Sequence, residues 1–299
     1  AATELRGLLQ PFAAEGTTLP STLAFDHPTA RGLASFILHT TQHQPAATAS
    51  VEARLLNDSV PCNLLSQKAT LPHGVRSVWQ MDATAYDTVT EVPRSRWDPV
   101  EGQHDIVQRC RFAAFMLDLE CFDNRAFSVS VAEANAMDPQ QRLLLEHSYA
   151  AAHAAGLRRH DLLDSDVGVY VGITSTEFAQ TERPASVYSI GGVGHCFAVG
   201  RVSYVLGLRG PCIATDTACS SSLVAGHIAR RGLQSAECRH FVLAGVQAML
   251  VPLVPVLYAS GGLTSNRGRS HTFDFRADGF GRGEACGVMA LGMGVCQTG

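Results

Sequence analysis

The stretch TDTACSSSLVAGH, residues 215–227, sets Cys219 among small residues between an apolar run and a run with helical spacing. A thiolate is both a good nucleophile and a good leaving group, so the chemistry on offer is covalent catalysis through this sulfur. If CIATD (212–216) is a strand and a helix begins near Cys219, the thiol stands at a helix N-terminus, where unpaired amides and the helix dipole favour the thiolate. Ser220, Ser221 and Ser222 are then available to satisfy first-turn amides, and the small Ala218 leaves room for a substrate chain. The same residues also fit a small buried thiol followed by serine caps. The local pattern leaves both readings open.

Other reactive residues offer less. His227 lies eight residues past the cysteine, about two helical turns and roughly 12 Å along the axis, too far for direct proton transfer, and reads as a packed or surface histidine. His195 beside Cys196 has no metal-ligand spacing around it. Cys196 and Cys286 read as core residues, and Ser21 as a turn or capping residue. The nine cysteines show no CxxC pair and no regular framework, which argues against a zinc site or disulfides and for a reducing compartment. No metal or cofactor site is expected. DGFGRGEACG (278–287) does not give G-x-G-x-x-G, and neither a Walker GK[ST] nor a G-x-S-x-G elbow occurs.

Several elements must position Cys219. DPQQRLLLEHSYAAAHAAG (138–156) predicts a helix capped by Asp138, with Pro139 at its first position and Gly156 at its stop. DVGVYVGI (166–173) is a nearly continuous apolar run, the mark of a strand covered on both faces, and CIATD and HFVLAGVQAML (240–250) resemble it. Val224, Ile228, Ala229 and Leu233 form one stripe of the helix joining the last two. Alternating strands and helices predict an α/β layered fold. Residues 1–39 read as a small helical unit, with Leu5, Leu8, Leu9 and Phe12 at helical spacing and Leu19, Leu23 and Phe25 plugging the same core. From about residue 40 the composition is that of a linker.

Of 299 residues 46% are apolar, enough for a sizeable core, and a net charge of −4 without a dense basic run argues against a nucleic-acid partner. No stretch reaches the roughly 18 apolar residues of a membrane span, and no signal or transit peptide opens the chain. A cytoplasmic or organellar soluble location is expected. The missing initial methionine and the final GVCQTG suggest a chain cut from a longer one at both ends.

DTACSSSLVA (216–225) resembles the active-site motif of β-ketoacyl synthases, the condensing enzymes of polyketide and fatty-acid assembly. The family is also resembled, in the right order, by TEVPRSRWD (90–98), the segment around MDPQQRLLLE, VGVYVGI, VGRVSYVLGLRGP and GGLTSNRGRSHTFDFRADGFGRGEACGVMAL, while residues 51–75 match it poorly. His271 stands where the family often has lysine, and GEACG has alanine and cysteine where glycine and alanine are usual. Residues 1–40 resemble the latter part of an acyl carrier domain, whose phosphopantetheine serine would precede Ala1.

The resemblance implies a piece of a modular polyketide synthase: the end of a carrier domain (1–40), a linker (41–59) and the N-terminal half of a β-ketoacyl synthase (60–299). It implies the first half of a thiolase-like layered αβα fold behind a short all-helical carrier remnant. Cys219 then takes an acyl group from a carrier thioester, and decarboxylative Claisen condensation with a malonyl-type extender follows. The implied partners are acyl carrier domains bearing 4′-phosphopantetheine, thioester substrates, and a second copy in a homodimer. The enolate donors of the family are two histidines in motifs resembling HGTGT and NIGH, and neither motif occurs here. A non-condensing, acyl-holding or decayed protein is the alternative expectation. A thiolase-like enzyme using coenzyme A is a third, opposed by the carrier-like start. The inner face of a lone first half is expected to be bare and to drive aggregation.

Overall fold

A computed structural model describes residues 61–75, 77–98 and 100–293, and before them 9–12, 19, 20, 23, 33, 34, 36 and 37. The chain divides into two units, Ala1–Leu55 and Leu56–Gly299. In the first, Leu19 and Leu23 are buried, Phe12 is exposed, and the Leu19 amide donates to Gln10 Oε1 at 3.0 Å. Leu5, Leu8 and Phe25, and the expected linker at 41–59, lie outside the described residues.

In the second unit the strands are β1 (Cys62–Thr70), β2 (Val89–Glu91), β3 (Phe112–Ala114), β4 (Gly168–Ile173), β5 (Cys212–Thr215), β6 (His240–Gln247), β7 (Arg282–Gly283) and β8 (Ala285–Met293). The helices are α1 (Val78–Thr84), α2 (His104–Cys110), α3 (Val131–Ala136), α4 (Pro139–Ala154), α5 (Arg159–Leu162), α6 (His195–Leu206), α7 (Ser221–Gln234) and α8 (Leu253–Ser260). Five strands form one sheet in the order β1-β8-β6-β4-β5, and β2-β3-β7 form a smaller one. β4 runs parallel to β5 and β6, whereas β8 is antiparallel to β6 and β1.

Alternation along the strands sorts the side chains into two cores. Val169, Val171, Val242, Ala244 and Val288 face α4 and α6, where Leu144, Leu145, Val202 and Leu206 meet them. Tyr170 and Phe241 face the other way, toward Ala225, Ala229 and Leu233 of α7. The result is a helix–sheet–helix sandwich, and each aliphatic side chain buried in it contributes roughly 1.5–3 kcal/mol. The continuous apolar reading of 166–173 holds, since β4 is buried at all six positions.

Two expectations are corrected by edges. β5 is the outer strand, with Cys212 exposed and its other residues half-buried, so it is not covered as β4 is. Cys196, expected in the core, is exposed: α6 turns Ala198, Val199, Val202 and Leu206 inward and carries Cys196 away from them. Cys286 is buried as expected. The poorly matching segment 51–75 nevertheless supplies β1, which pairs with β8 from Cys62 to Thr70. α4 is capped as its sequence predicts. The Asp138 side chain accepts from the Gln140 amide, Pro139 follows, and Gly156 takes a left-handed φ of 86° just past the end. Among the described residues no helix is long and apolar enough to cross a membrane.

Candidate functional site

The parallel strands β4, β5 and β6 end on one side of the sheet, and the loops leaving them carry Thr174, Cys219 and the segment 248–251. Open α/β sheets place ligands at such strand ends. Cys219 is exposed and lines a cleft of about 840 Å³, within the range of small-molecule sites.

The chain reaches Cys219 by a sharp turn between β5 and α7. Ala218 takes a φ of 55°, a left-handed conformation that costs a residue with a Cβ on the order of 1 kcal/mol or more. The three serines after it do not cap α7 as the sequence suggested, because the N-cap Ser220 makes no side-chain cap bond. Ser220 Oγ instead reaches back to the Thr217 carbonyl and Thr217 Oγ1, both at 2.9 Å. Ser221 Oγ accepts from the Thr217 amide at 2.9 Å and donates to the Ala218 carbonyl at 2.6 Å. Thr215 Oγ1 donates to the Ser221 carbonyl at 2.8 Å, tying the helix start to β5.

Glycines shape the floor. Gly172 of β4, Gly245 of β6 and Gly287 of β8 stand side by side in register on the α7 face of the sheet. A Cβ on Gly172 would lie 2.3 Å from the Ser222 nitrogen, and one on Gly245 would lie 3.0 Å from Ser222 Cβ. The first turn of α7 therefore rests directly on the backbone of two strands. Above Gly287 there is open space, which is the floor of the cleft.

A buried polar frame supports the far wall, where Phe280 and Arg282 line the cleft and Arg282 lies over the Tyr258 ring. Glu284, fully buried, accepts from the amides of Met116 and Met249 at 2.8 and 2.7 Å and pairs with Arg96 at 3.1 Å. Burial raises the Glu284 carboxyl above its ordinary range, and Arg96 opposes that rise. Glu177 accepts from Leu250 and Val251 at 2.8 and 3.2 Å, fixing the loop after β6. Gln140 donates to the Ser175 carbonyl at 2.9 Å and accepts from Ala248 at 3.2 Å, so α4 holds the loops after both β4 and β6. Burial also pushes Asp138, beside Gln140, up to about 6 against the pull of its hydrogen bonds with Gln140 and the charges of Arg142 and Arg183.

Of the other residues singled out from sequence, His227 is exposed on α7 and His195 opens α6. His271 and His195 each have a buried Nε2 without a partner. Among the described residues no histidine lines the cleft, and no group of three metal-ligating side chains converges. Sequence reasoning missed Thr174, the glycine row and the Arg96–Glu284 tie. Glycines inside the apolar runs GVYVGI and VLAGVQ were the available signal for the second of these, since glycine within a strand marks close approach of another backbone.

Comparison with known proteins agrees with this geometry. Residues 66–293 match the model of the family described as beta-ketoacyl synthase, N-terminal domain. A phenolphthiocerol/phthiocerol polyketide synthase of Mycobacterium tuberculosis is 40% identical over 228 residues, which cover 73% of this chain and 12% of that protein. The pikromycin polyketide synthase component PikAII of Streptomyces venezuelae is 38% identical over 305 residues, covering 97% of this chain and 8% of that one. Among solved structures, the ketosynthase from module 6 of the bacillaene synthase from Bacillus subtilis 168 superimposes with a TM-score of 0.69 at 33% identity, over 77% of this chain and 40% of that one. The chain thus spans a small part of the curated relatives and under half of the solved ketosynthase. With the thiolase-like layers, the elbow and the family motifs in one arrangement, the chain belongs to the β-ketoacyl synthases and carries the N-terminal domain of that family.

Proposed function

We propose that this chain is the acyl-accepting part of a polyketide-synthase ketosynthase and that Cys219 is its nucleophile. The observation that carries the reading is an exposed thiol at a left-handed strand-to-helix elbow, opening into a cleft whose floor is bare backbone. Cys219 Sγ attacks the carbonyl carbon of a carrier thioester, the carbon–sulfur bond to the carrier arm breaks, and the arm's thiolate takes up a proton. A malonyl-type extender then loses carbon dioxide, and its α-carbon bonds to the acyl carbonyl and expels Cys219. This makes the enzyme a transferase of the 3-oxoacyl-[acyl-carrier-protein] synthase type. The enolate donors implied by the family resemblance belong to histidine motifs absent from this sequence.

Residues 1–40 are proposed as the end of an acyl carrier domain, 41–59 as a linker and 60–299 as the ketosynthase segment. The carrier-like sequence and the burial of Leu19 and Leu23 support the first of these. The carrier arm, 4′-phosphopantetheine, would be borne on a serine before Ala1 and would reach the cleft as part of the substrate. A homodimer is supported by β5, an outer strand among the described residues, whose edge suits pairing with a second copy. A reducing compartment, cytosolic or organellar, is supported by the free cysteines.

The test is to incubate the full-length protein with an acyl-pantetheine thioester and map the acyl group by peptide mass spectrometry. Acylation at Cys219 that vanishes in Cys219→Ala supports the proposal, and acylation elsewhere or nowhere defeats it. The alternative, an acyl-holding protein that does not condense, is disfavoured by the polyketide-synthase relatives and the ketosynthase structure that the chain resembles. Release of carbon dioxide and a 3-oxoacyl product from a malonyl thioester would eliminate it.

A further inference from the structure

Ser221 is 5% exposed, and its hydroxyl sits between two elements. It accepts from the Thr217 amide, donates to the Ala218 carbonyl, and lies 3.3 Å from Thr174 Oγ1, which itself reaches the Ala218 carbonyl at 3.4 Å. Two hydroxyls, one from the end of β4 and one from the start of α7, thus converge on a single carbonyl. The residue that owns this carbonyl is the left-handed Ala218, directly before the nucleophile. Helix capping does not explain the arrangement, because the Ser221 hydroxyl points back into the turn and not onto the first-turn amides of α7.

We propose that Ser221, assisted by Thr174, is a positioning residue that holds Ala218 left-handed and so aims Cys219 Sγ into the cleft. The proposal rests on the reading of Cys219 as acyl acceptor. An alanine left to itself returns to φ below zero, and that rotation turns the next peptide and swings the Cys219 side chain. The clamp prevents the return because both its ends are fixed to the sheet. Thr215 Oγ1 holds the Ser221 carbonyl, and the missing side chain of Gly172 lets the Ser221–Ser222 peptide sit against β4. No proton need move through Ser221, whose part is geometric.

The test uses single-turnover acylation of full-length protein by an acyl-pantetheine thioester. Ser221→Ala is expected to lower the saturating rate about 10- to 100-fold while the half-saturating concentration stays within about twofold, since misplacing a reacting atom by about 1 Å costs rate more than binding. In an Ala218→Gly background the same substitution is expected to cost at least about threefold less, because glycine takes the left-handed conformation without penalty. Thr174→Val, at an exposed side chain where folding is not at stake, is expected to slow acylation about three- to tenfold, with recovery in Thr174→Ser. Unchanged acylation in Ser221→Ala, or an equal loss in both backgrounds, overturns the proposal. If wild-type protein fails to acylate at Cys219, the acyl-acceptor reading fails by itself. Iodoacetamide rates at Cys219 in the same variants then still read the elbow, and equal rates overturn the clamp.

Discussion

Gly172 of β4 and Gly245 of β6 are directly paired across the sheet, and Ser222 of α7 lies against both. The helix that follows Cys219 is therefore seated on backbone and not on side chains. Gly172→Ala would put a methyl group 2.3 Å from the Ser222 nitrogen, where rigid strand and helix both resist movement. The expected result is a loss of about 1–3 kcal/mol in chemical denaturation with an unchanged m-value, as for other overpacked cores. Gly287→Ala, with open space above it, is expected to change stability by less than about 0.5 kcal/mol.

The cysteines should label in a defined order. Cys121, Cys196, Cys212 and Cys219 are exposed, whereas Cys110, Cys238 and Cys286 are buried, with burial raising the thiols of Cys238 to about 11 and Cys286 to about 12. Peptide mapping after brief iodoacetamide treatment is expected to find the first four modified and the last three protected. Cys219, at the start of α7, is expected to react about tenfold faster than the other exposed thiols. Uniform labelling of the exposed four would argue against the nucleophile assignment.

Asp138 gives the fold a pH dependence of definite sign. Its carboxyl titrates near 6 in the native protein against an ordinary 3.8, so between those values the native state keeps a proton that the unfolded chain has lost. The Asp138 contribution to stability therefore falls as pH rises from about 4 to about 6 and is level above that, a swing on the order of 3 kcal/mol. Denaturation of Asp138→Asn across this window should show a flatter fall than wild type. Parallel curves would contradict the raised carboxyl.

The Arg96–Glu284 pair is buried on the carboxylate side, with Arg96 mostly covered. Removing the cation leaves a buried carboxylate with its amide donors but without its charge partner. Arg96→Ala is expected to cost on the order of 3 kcal/mol in denaturant titrations, more than a surface ion pair. Arg111→Ala, which breaks an exposed pair with Glu91, serves as the comparison and is expected to cost under about 1 kcal/mol.

One face of β8 and β1 is only partly covered, by the packing of Cys62 and Leu291 beside Tyr170 and Phe241. Met289, Met293 and Leu64 are exposed there, and Leu223 of α7 is 77% exposed. Apolar surface on this scale marks a place where another part of a protein packs. The isolated chain of 299 residues is expected to self-associate in sedimentation velocity at micromolar concentration. A monodisperse monomer with a cooperative melt would show that the face is tolerated by water.

The layers and the place of Cys219 between a strand and a helix were legible in the sequence because they rest on local signals. Asp138 and Pro139 announce a helix start, the apolar run of β4 a covered strand, and the small residues around Cys219 a turn. The elbow's construction was not legible. Serines after a strand suggest caps, and only the folded chain shows Ser221 turned back onto Ala218. Nor does spacing show that Arg96 and Glu284, 188 residues apart, are partners. Cys196 was misread because a small residue in an apolar segment does not reveal which side of α6 it occupies. The edge character of β5 was hidden for a similar reason, since its composition matches that of a buried strand.

The position of β8 has a consequence for how the molecule is made. Among the described residues it is the last strand in sequence, yet it lies inside the sheet, between β6 and β1, and it is the neighbour that β1 pairs with. A chain emerging from the ribosome N-terminus first can form the β5–β4–β6 ladder as those strands appear, but β1 must wait unpaired until residues 285–293 have been synthesised. Assembly of this sheet is therefore a late insertion between two waiting edges, and the nascent chain is most vulnerable to mispairing in the interval before it.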